Sequence, residues 1–247
     1  MTTTIAVSGK GGSGKTTLAA MIIRCLLEKD SRGEVLAVDA DPNSCLGLTL
    51  GVQPEGVVAD IRENARSKAP TNTGMDRLRT VEYGIQQAVT EAKGFDLLTM
   101  GRPEGPDCYC AVNNMLRKFL DTLSSQYRYV VIDNEAGMEH LSRRTTNNVE
   151  QLYIIAEQNP IGAVTAQRIY DLANKLPISV KKIGVIWNKS KSTGNEPGSS
   201  NEMEIAGYIP YDEAVLRSSI KGKTVFDLAE DNPAYVEVSK IIEQILI

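Results

Sequence analysis

Residues 9–17 read Gly-Lys-Gly-Gly-Ser-Gly-Lys-Thr-Thr, and no other stretch narrows the fold as much. The frame Gly-x-x-x-x-Gly-Lys-Thr, from Gly9 to Thr16, is a phosphate-binding turn. Its glycines let backbone N–H groups crowd an anion, Lys15 reaches outer phosphates, and the Thr16 hydroxyl can ligate Mg²⁺. Such a turn needs a strand before it and a helix after it. Thr3 to Val7 is β-prone, and Lys15 to Lys29 has helical spacing with Leu18, Met21, Ile22, Cys25 and Leu26 on one face. Gly9, Gly11, Gly12, Ser13, Gly14, Lys15, Thr16 and Thr17 are therefore the candidate nucleotide ligands. Lys10 stands too early in the turn to repeat the task of Lys15. A cation there is better placed to reach a nucleotide held by a second subunit, so hydrolysis by a dimer is expected.

The 247 residues suit one α/β domain, expected to span 1–247. Strand-like runs recur at Glu34–Ala40, Phe95–Met100, Tyr127–Ile132, Gln151–Ala156, Lys182–Trp187 and Glu204–Ile209. Helical spacing covers Ala111–Ser125, Gly162–Leu176 and Pro233–Leu246. Consecutive apolar residues, as in Tyr129-Val130-Val131-Ile132, predict strands buried on both faces. The expected architecture is a doubly wound, mostly parallel sheet flanked by helices, with ligands at the carboxyl ends of the strands. A net charge of −4 implies no broad field for nucleic acid. No apolar run is long enough to span a bilayer, and the phosphate turn begins too early to leave room for a signal peptide. A cytoplasmic protein with Cys25, Cys45, Cys108 and Cys110 as thiols is expected, with neither nucleic acid nor membrane as partner. The final helix carries too little positive charge for a membrane anchor.

Carboxylates follow two of the strands. Strand alternation would turn Asp39 and Asp41, in Val38-Asp39-Ala40-Asp41-Pro42, to the same side. A carboxylate beside Mg²⁺ and the terminal phosphate can order the attacking water, although Asp41-Pro42 also reads as a turn. Asp133 ends another apolar run and is the expected partner for the Mg²⁺ shell; Gly137 then offers a backbone N–H that could sense the γ-phosphate. Asn188, after Ile186-Trp187, could exchange two hydrogen bonds with an adenine edge, which favours ATP over GTP. Pro210 could supply the opposite wall of a base pocket.

Taken together, Gly9 to Thr17, Val38-Asp39-Ala40-Asp41 and Asp133-Asn134-Glu135-Ala136-Gly137 resemble the deviant Walker A ATPases over almost the whole chain. That group includes cell-division and plasmid-partition ATPases and the nitrogenase iron protein. The resemblance implies a P-loop NTPase fold of the SIMIBI kind and a nucleotide-sandwich homodimer. Lys10 would cross to the partner's nucleotide, Lys15 would hold phosphates, and Asp41 would help activate water. Thr16, Asp39 and Asp133 would serve Mg²⁺, partly through water.

Cys108-Tyr109-Cys110 follows Gly101-Arg102-Pro103-Glu104-Gly105-Pro106-Asp107. Two thiols one residue apart can face one soft ion, and a two-fold dimer would supply four, the usual tetrahedral count. Zn²⁺ and Ni²⁺ both suit such donors, while a redox pair or two unrelated cysteines are the alternatives. Nitrogenase-iron-protein relatives place a cluster cysteine in a similar loop and another seven residues after the switch aspartate. Here that second place holds His140, which argues against a shared iron–sulfur cluster and leaves His140 a position beyond the ligands themselves. The cysteine pair with the Asp133–Arg144 segment is closest in look to the nickel-insertion ATPases that mature carbon monoxide dehydrogenase or acetyl-CoA synthase. By that resemblance the chain is an ATP-dependent nickel metallochaperone with such an enzyme as client. An iron–sulfur electron-transfer ATPase and a positioning or partition ATPase are the rival readings. Cys25 reads as core, and Cys45 carries no assignment.

Overall fold

The computed structural model describes residues 2–31, 34–61, 74–101, 120–136, 148–175, 179–191 and 203–246. Its strands are β1 (Thr3–Gly9), β2 (Val35–Ala40), β3 (Val89–Glu91), β4 (Phe95–Thr99), β5 (Tyr129–Ala136), β6 (Asn148–Glu157), β7 (Ser179–Ser190) and β8 (Glu204–Pro210). Among the described residues they form one eight-stranded sheet in the order β3-β4-β2-β5-β1-β6-β7-β8. Every pairing is parallel except the edge pair β3–β4. The order reverses direction around β1, so the carboxyl end of that central strand is where a doubly wound sheet opens a crevice. The phosphate turn leaves β1 at that point.

Two apolar layers flank the sheet. On one side α1 (Lys15–Lys29) and the last helix, α6 (Pro233–Leu246), bury Leu18, Met21, Ile22, Tyr235, Val238 and Ile242 with Ile5, Val7 and Val131. On the other, α4 (Pro160–Lys175) packs Ala163, Ala166 and Ile169 against Leu152, Ile154 and Trp187. Alternate residues of β5 therefore serve opposite cores, which is why Tyr129 to Ile132 are apolar without a break. Among the described residues no helix is long and apolar enough to cross a membrane.

Several elements extend beyond the periodic signal. β5 continues through Asp133 and Asn134, because their backbones pair with Asp39 and Ala40 of β2. β3 is three residues long, too short for alternation to mark it. Between β2 and β3 the described residues include α2 (Leu46–Leu50), a helical stretch at 58–61 and α3 (Gly74–Ala88). The helix α5 (Glu213–Ile220) buries none of its residues, with Val215 only partly covered and Leu216 and Ile220 exposed. It is set instead by Asp212, whose side chain accepts from the Val215 N–H at 3.0 Å. Of the helix expected at Ala111–Ser125, only residues 120–124 are described as helical.

Arg24 joins α1 to the chain after α5. Its guanidinium is buried, donates to the Val225 and Leu228 carbonyls at 2.8 Å each, pairs with Glu28 at 2.7 Å, and stacks on the Tyr235 ring. Arg24→Met would remove the guanidinium donor from the Leu228 carbonyl and leave the Val225 carbonyl with the Leu228 N–H at 3.3 Å. It should lower stability by about 3 kcal/mol, read as a fall in the urea midpoint at unchanged slope. A loss below about 0.5 kcal/mol would show that the 225–228 turn is held by apolar contacts alone.

Candidate functional site

The turn from β1 into α1 has its amides on the inside only if its carbonyls are directed elsewhere. Gly12 and Gly14 adopt left-handed backbone, with φ of 80° and 96°, which glycine takes without penalty. The Lys10 carbonyl accepts the Ser13 N–H at 3.1 Å and the Lys15 ammonium at 3.4 Å. The Asn188 side chain donates to the Ser13 carbonyl at 2.7 Å, and Lys189 Nζ donates to the Gly12 carbonyl at 2.9 Å. A Cβ at Gly14 would collide with the Asn188 amide, so the turn and the end of β7 are in direct contact. Helix α1 then begins at Lys15, and its N-terminal amides and positive dipole face the crevice.

Next to the turn, β5 and β2 bring Asp133 and Asp39 into register. Both are fully buried, and among the described residues neither Asp133 oxygen nor Asp39 Oδ1 meets a hydrogen-bond partner. Asp39 Oδ2 accepts the Leu46 N–H at 2.9 Å. Burial pushes Asp39 up to about 6, opposed by backbone donors from Leu46 and Asp41. Burial pushes Asp133 up to about 7; the nearby Thr16 hydroxyl and Lys15 oppose this, while Asp39 and Asp41 add to it. Hard oxygen donors left short of partners beside a phosphate cradle fit Mg²⁺, with Thr16, Asp39 and Asp133 able to hold it directly or through water. Among the described residues no three His, Cys, Asp or Glu side chains converge as a self-sufficient metal site.

Asp41 departs from strand alternation. β2 ends at Ala40, and the Asp41 carboxylate accepts the Asn43 N–H at 2.9 Å and its side-chain amide at 2.8 Å. The side chain therefore starts a turn, and it also lines the cleft; both readings of Asp41-Pro42 hold at once. That cleft has a volume of about 460 Å³ and is walled by Gly11, Gly12, Gly14, Lys15, Thr16, Thr17, Asp41 and Glu135. Lys10 is exposed.

Asn188 and Pro210 close adjacent strands, β7 and β8. The Asn188 amide is already used within the chain, since Nδ2 donates to Ser13 and Oδ1 accepts the Lys189 N–H at 2.9 Å. One N–H and one lone pair remain for a base. Cys108, Cys110, Gly137 and His140 lie outside the described residues. Cys25 is buried on α1, as its place in the apolar stripe predicts, and Cys45 is exposed.

Residues 4–225 match the CobQ/CobB/MinD/ParA nucleotide binding domain. The chain belongs to this family. It is 43% identical over 249 residues to an uncharacterized ATP-binding protein of Methanocaldococcus jannaschii, covering 98% of each chain. It is 32% identical over 240 residues to the carbon monoxide dehydrogenase accessory protein CooC of Rhodospirillum rubrum, covering 91% of this chain and 90% of that one. The cell division ATPase MinD of Pyrococcus furiosus superposes with a TM-score of 0.69 at 20% identity, over 100% of this chain and 99% of that one. A ParA family ATPase from Chlorobium tepidum gives 0.71 at 19%, over 98% of both. At those identities the structural likeness concerns the fold, an eight-stranded MinD/ParA sheet. The chain is a MinD/ParA-type ATPase.

Sequence reasoning missed Lys189, Asn43 and Glu135 in this MinD/ParA-type site. Asn43 had a signal, since Asp-Pro-Asn is turn chemistry. Lys189 had none, because its partners, the Gly12 carbonyl and the Glu157 carboxylate, lie far away in the chain.

A pKa displaced upward means that the folded chain holds the proton more tightly than the unfolded one. The stability it carries is complete near pH 4 and is lost as pH rises through about 6 for Asp39 and about 7 for Asp133. Asp133→Asn should therefore stabilise the nucleotide-free protein by about 2 kcal/mol more at pH 8 than at pH 5, measured by thermal melts. An equal effect at both pH values would contradict the burial of an uncompensated charge.

Proposed function

We propose that this ATPase is a dimeric metallochaperone that carries a nickel ion on Cys108 and Cys110 of two subunits to carbon monoxide dehydrogenase or a related enzyme. The observation that carries the reading is the Cys108-Tyr109-Cys110 pair in a chain 32% identical to a carbon monoxide dehydrogenase accessory protein. Thiolates suit Ni²⁺ and also Zn²⁺, so zinc is the expected competitor in vitro. The segment holding the pair begins just beyond β4, which pairs with the strand bearing Asp39.

In this reading the turn amides and Lys15 bind the phosphates of ATP, and Mg²⁺, when bound, neutralises charge that develops on them. Asp41 orders the attacking water and takes up its proton. Lys10 reaches the partner's nucleotide, so the triphosphate draws two subunits together and aligns two cysteine pairs. Loss of the γ-phosphate releases the segments that follow Asp41 and Asp133, including Gly137. The four-thiolate site then opens toward the client.

Two variants test separate halves of this mechanism. Lys10→Gln should still bind ATP, yet hydrolyse it about a thousandfold more slowly and fail to dimerise with nucleotide. Wild-type hydrolysis by the monomeric variant would remove the trans role of Lys10. Cys108→Ser/Cys110→Ser protein, shown folded by circular dichroism, should lose nickel binding in anaerobic titration. Nickel held as tightly as in the parent would place the cargo elsewhere, and salt-sensitive DNA binding would favour a partition role.

A further inference from the structure

Lys189 is held in an unusual way for a lysine. Its φ is 54°, in the left-handed region that side chains with a Cβ seldom occupy. That backbone turns its N–H onto the Asn188 side-chain oxygen at 2.9 Å, within the same residue pair that grips the phosphate turn. The ammonium spans Gly12 O at 2.9 Å and Glu157 Oε1 at 2.7 Å. Glu157, the last residue of β6, also accepts from the Asn159 side chain at 3.3 Å. Asn188 and Lys189 thus take consecutive carbonyls of the turn, Ser13 O and Gly12 O.

We propose that Lys189, anchored by Glu157, is a positioning residue for ATP: it draws the Gly12 carbonyl outward so that the turn's amides stay aimed at the phosphates. A peptide unit has its C=O and N–H on opposite sides, so fixing the Gly12 carbonyl helps hold the Ser13 N–H on the Lys10 carbonyl at 3.1 Å, the bond that closes the turn around its remaining amides. Without that tie the Lys10–Ser13 bond alone restrains this peptide, beside a glycine with φ of 80°, and the cradle loses pre-organisation. The left-handed strain at Lys189 is what places its side chain over the turn. Glu157 is held below the usual carboxylate range chiefly by the Lys189 hydrogen bond, with smaller help from Asn159 and the charge of Lys10. Lys10 and Lys189 therefore share one counterion, and Lys10 can leave for a partner subunit without stranding Glu157.

Amides that hold phosphates equally in the ground state and the transition state contribute uniform binding, which appears in KM rather than kcat. In steady-state ATPase assays of the full chain, Lys189→Met should raise KM about tenfold while kcat stays within about threefold. Lys189→Arg, which keeps a donor of similar reach, should restore most of the loss. Glu157→Gln should raise KM by about threefold through a looser anchor. Lys189→Gly separates backbone from side chain: it relieves the left-handed strain, so its melting temperature should be equal or higher, yet its KM should rise as in Lys189→Met. An unchanged KM in Lys189→Met or Lys189→Gly would overturn the proposal. So would a kcat that falls in step with kcat/KM, since Lys189 would then act in the transition state, or a failure of arginine to rescue.

Discussion

A backbone can present several N–H groups to one anion only if the matching carbonyls find partners on the other side. The turn from β1 to α1 meets that constraint with groups from within and from β7. The Lys10 carbonyl is capped by the turn's own Ser13 N–H and by Lys15, and the Gly12 and Ser13 carbonyls by Lys189 and Asn188. The parallel sheet puts β7 within reach: β1 and β7 both flank β6, and their carboxyl ends therefore meet at one edge of the crevice. Helix α1, sunk in one of the two cores, fixes the far end of the turn.

The same crevice concentrates negative charge where solvent cannot screen it. Asp39 and Asp133 are raised by burial; Lys15 and Thr16 offset only part of the cost at Asp133, and backbone donors only part of it at Asp39. A stable core would avoid such a pair. Its cost is reasonable in a site that receives Mg²⁺ with a nucleotide, because binding then relieves both the desolvation and the mutual repulsion. Stability is lower here so that affinity is higher.

How much of this was readable from residues alone depended on range. The phosphate turn, α1 and the buried strands were legible because their signals are local: glycine spacing, a 3.6-residue stripe and unbroken apolar runs. Asp39 and Asp133 were legible as acids near strand ends, although β5 runs past Asp133 through pairing with β2 that no local pattern announces. Asp41 serves both as a turn residue and as part of the cleft lining, just past the end of β2 at Ala40. The ties of Asn188 and Lys189 to residues about 175 positions earlier were invisible, because they arise from strand order. Helix α5 escaped notice because it is short, from Glu213 to Ile220, and buries none of its residues.

Nucleotide and metal meet in one dimer in this account, so each should alter affinity for the other by the same factor. The direct measurement is anaerobic nickel titration by native mass spectrometry, with and without a non-hydrolysable ATP analogue and Mg²⁺. The account predicts one nickel per two chains and a nickel affinity at least about tenfold tighter with the analogue, a coupling of about 1.4 kcal/mol. One nickel per monomer, or an affinity indifferent to the analogue, would contradict it.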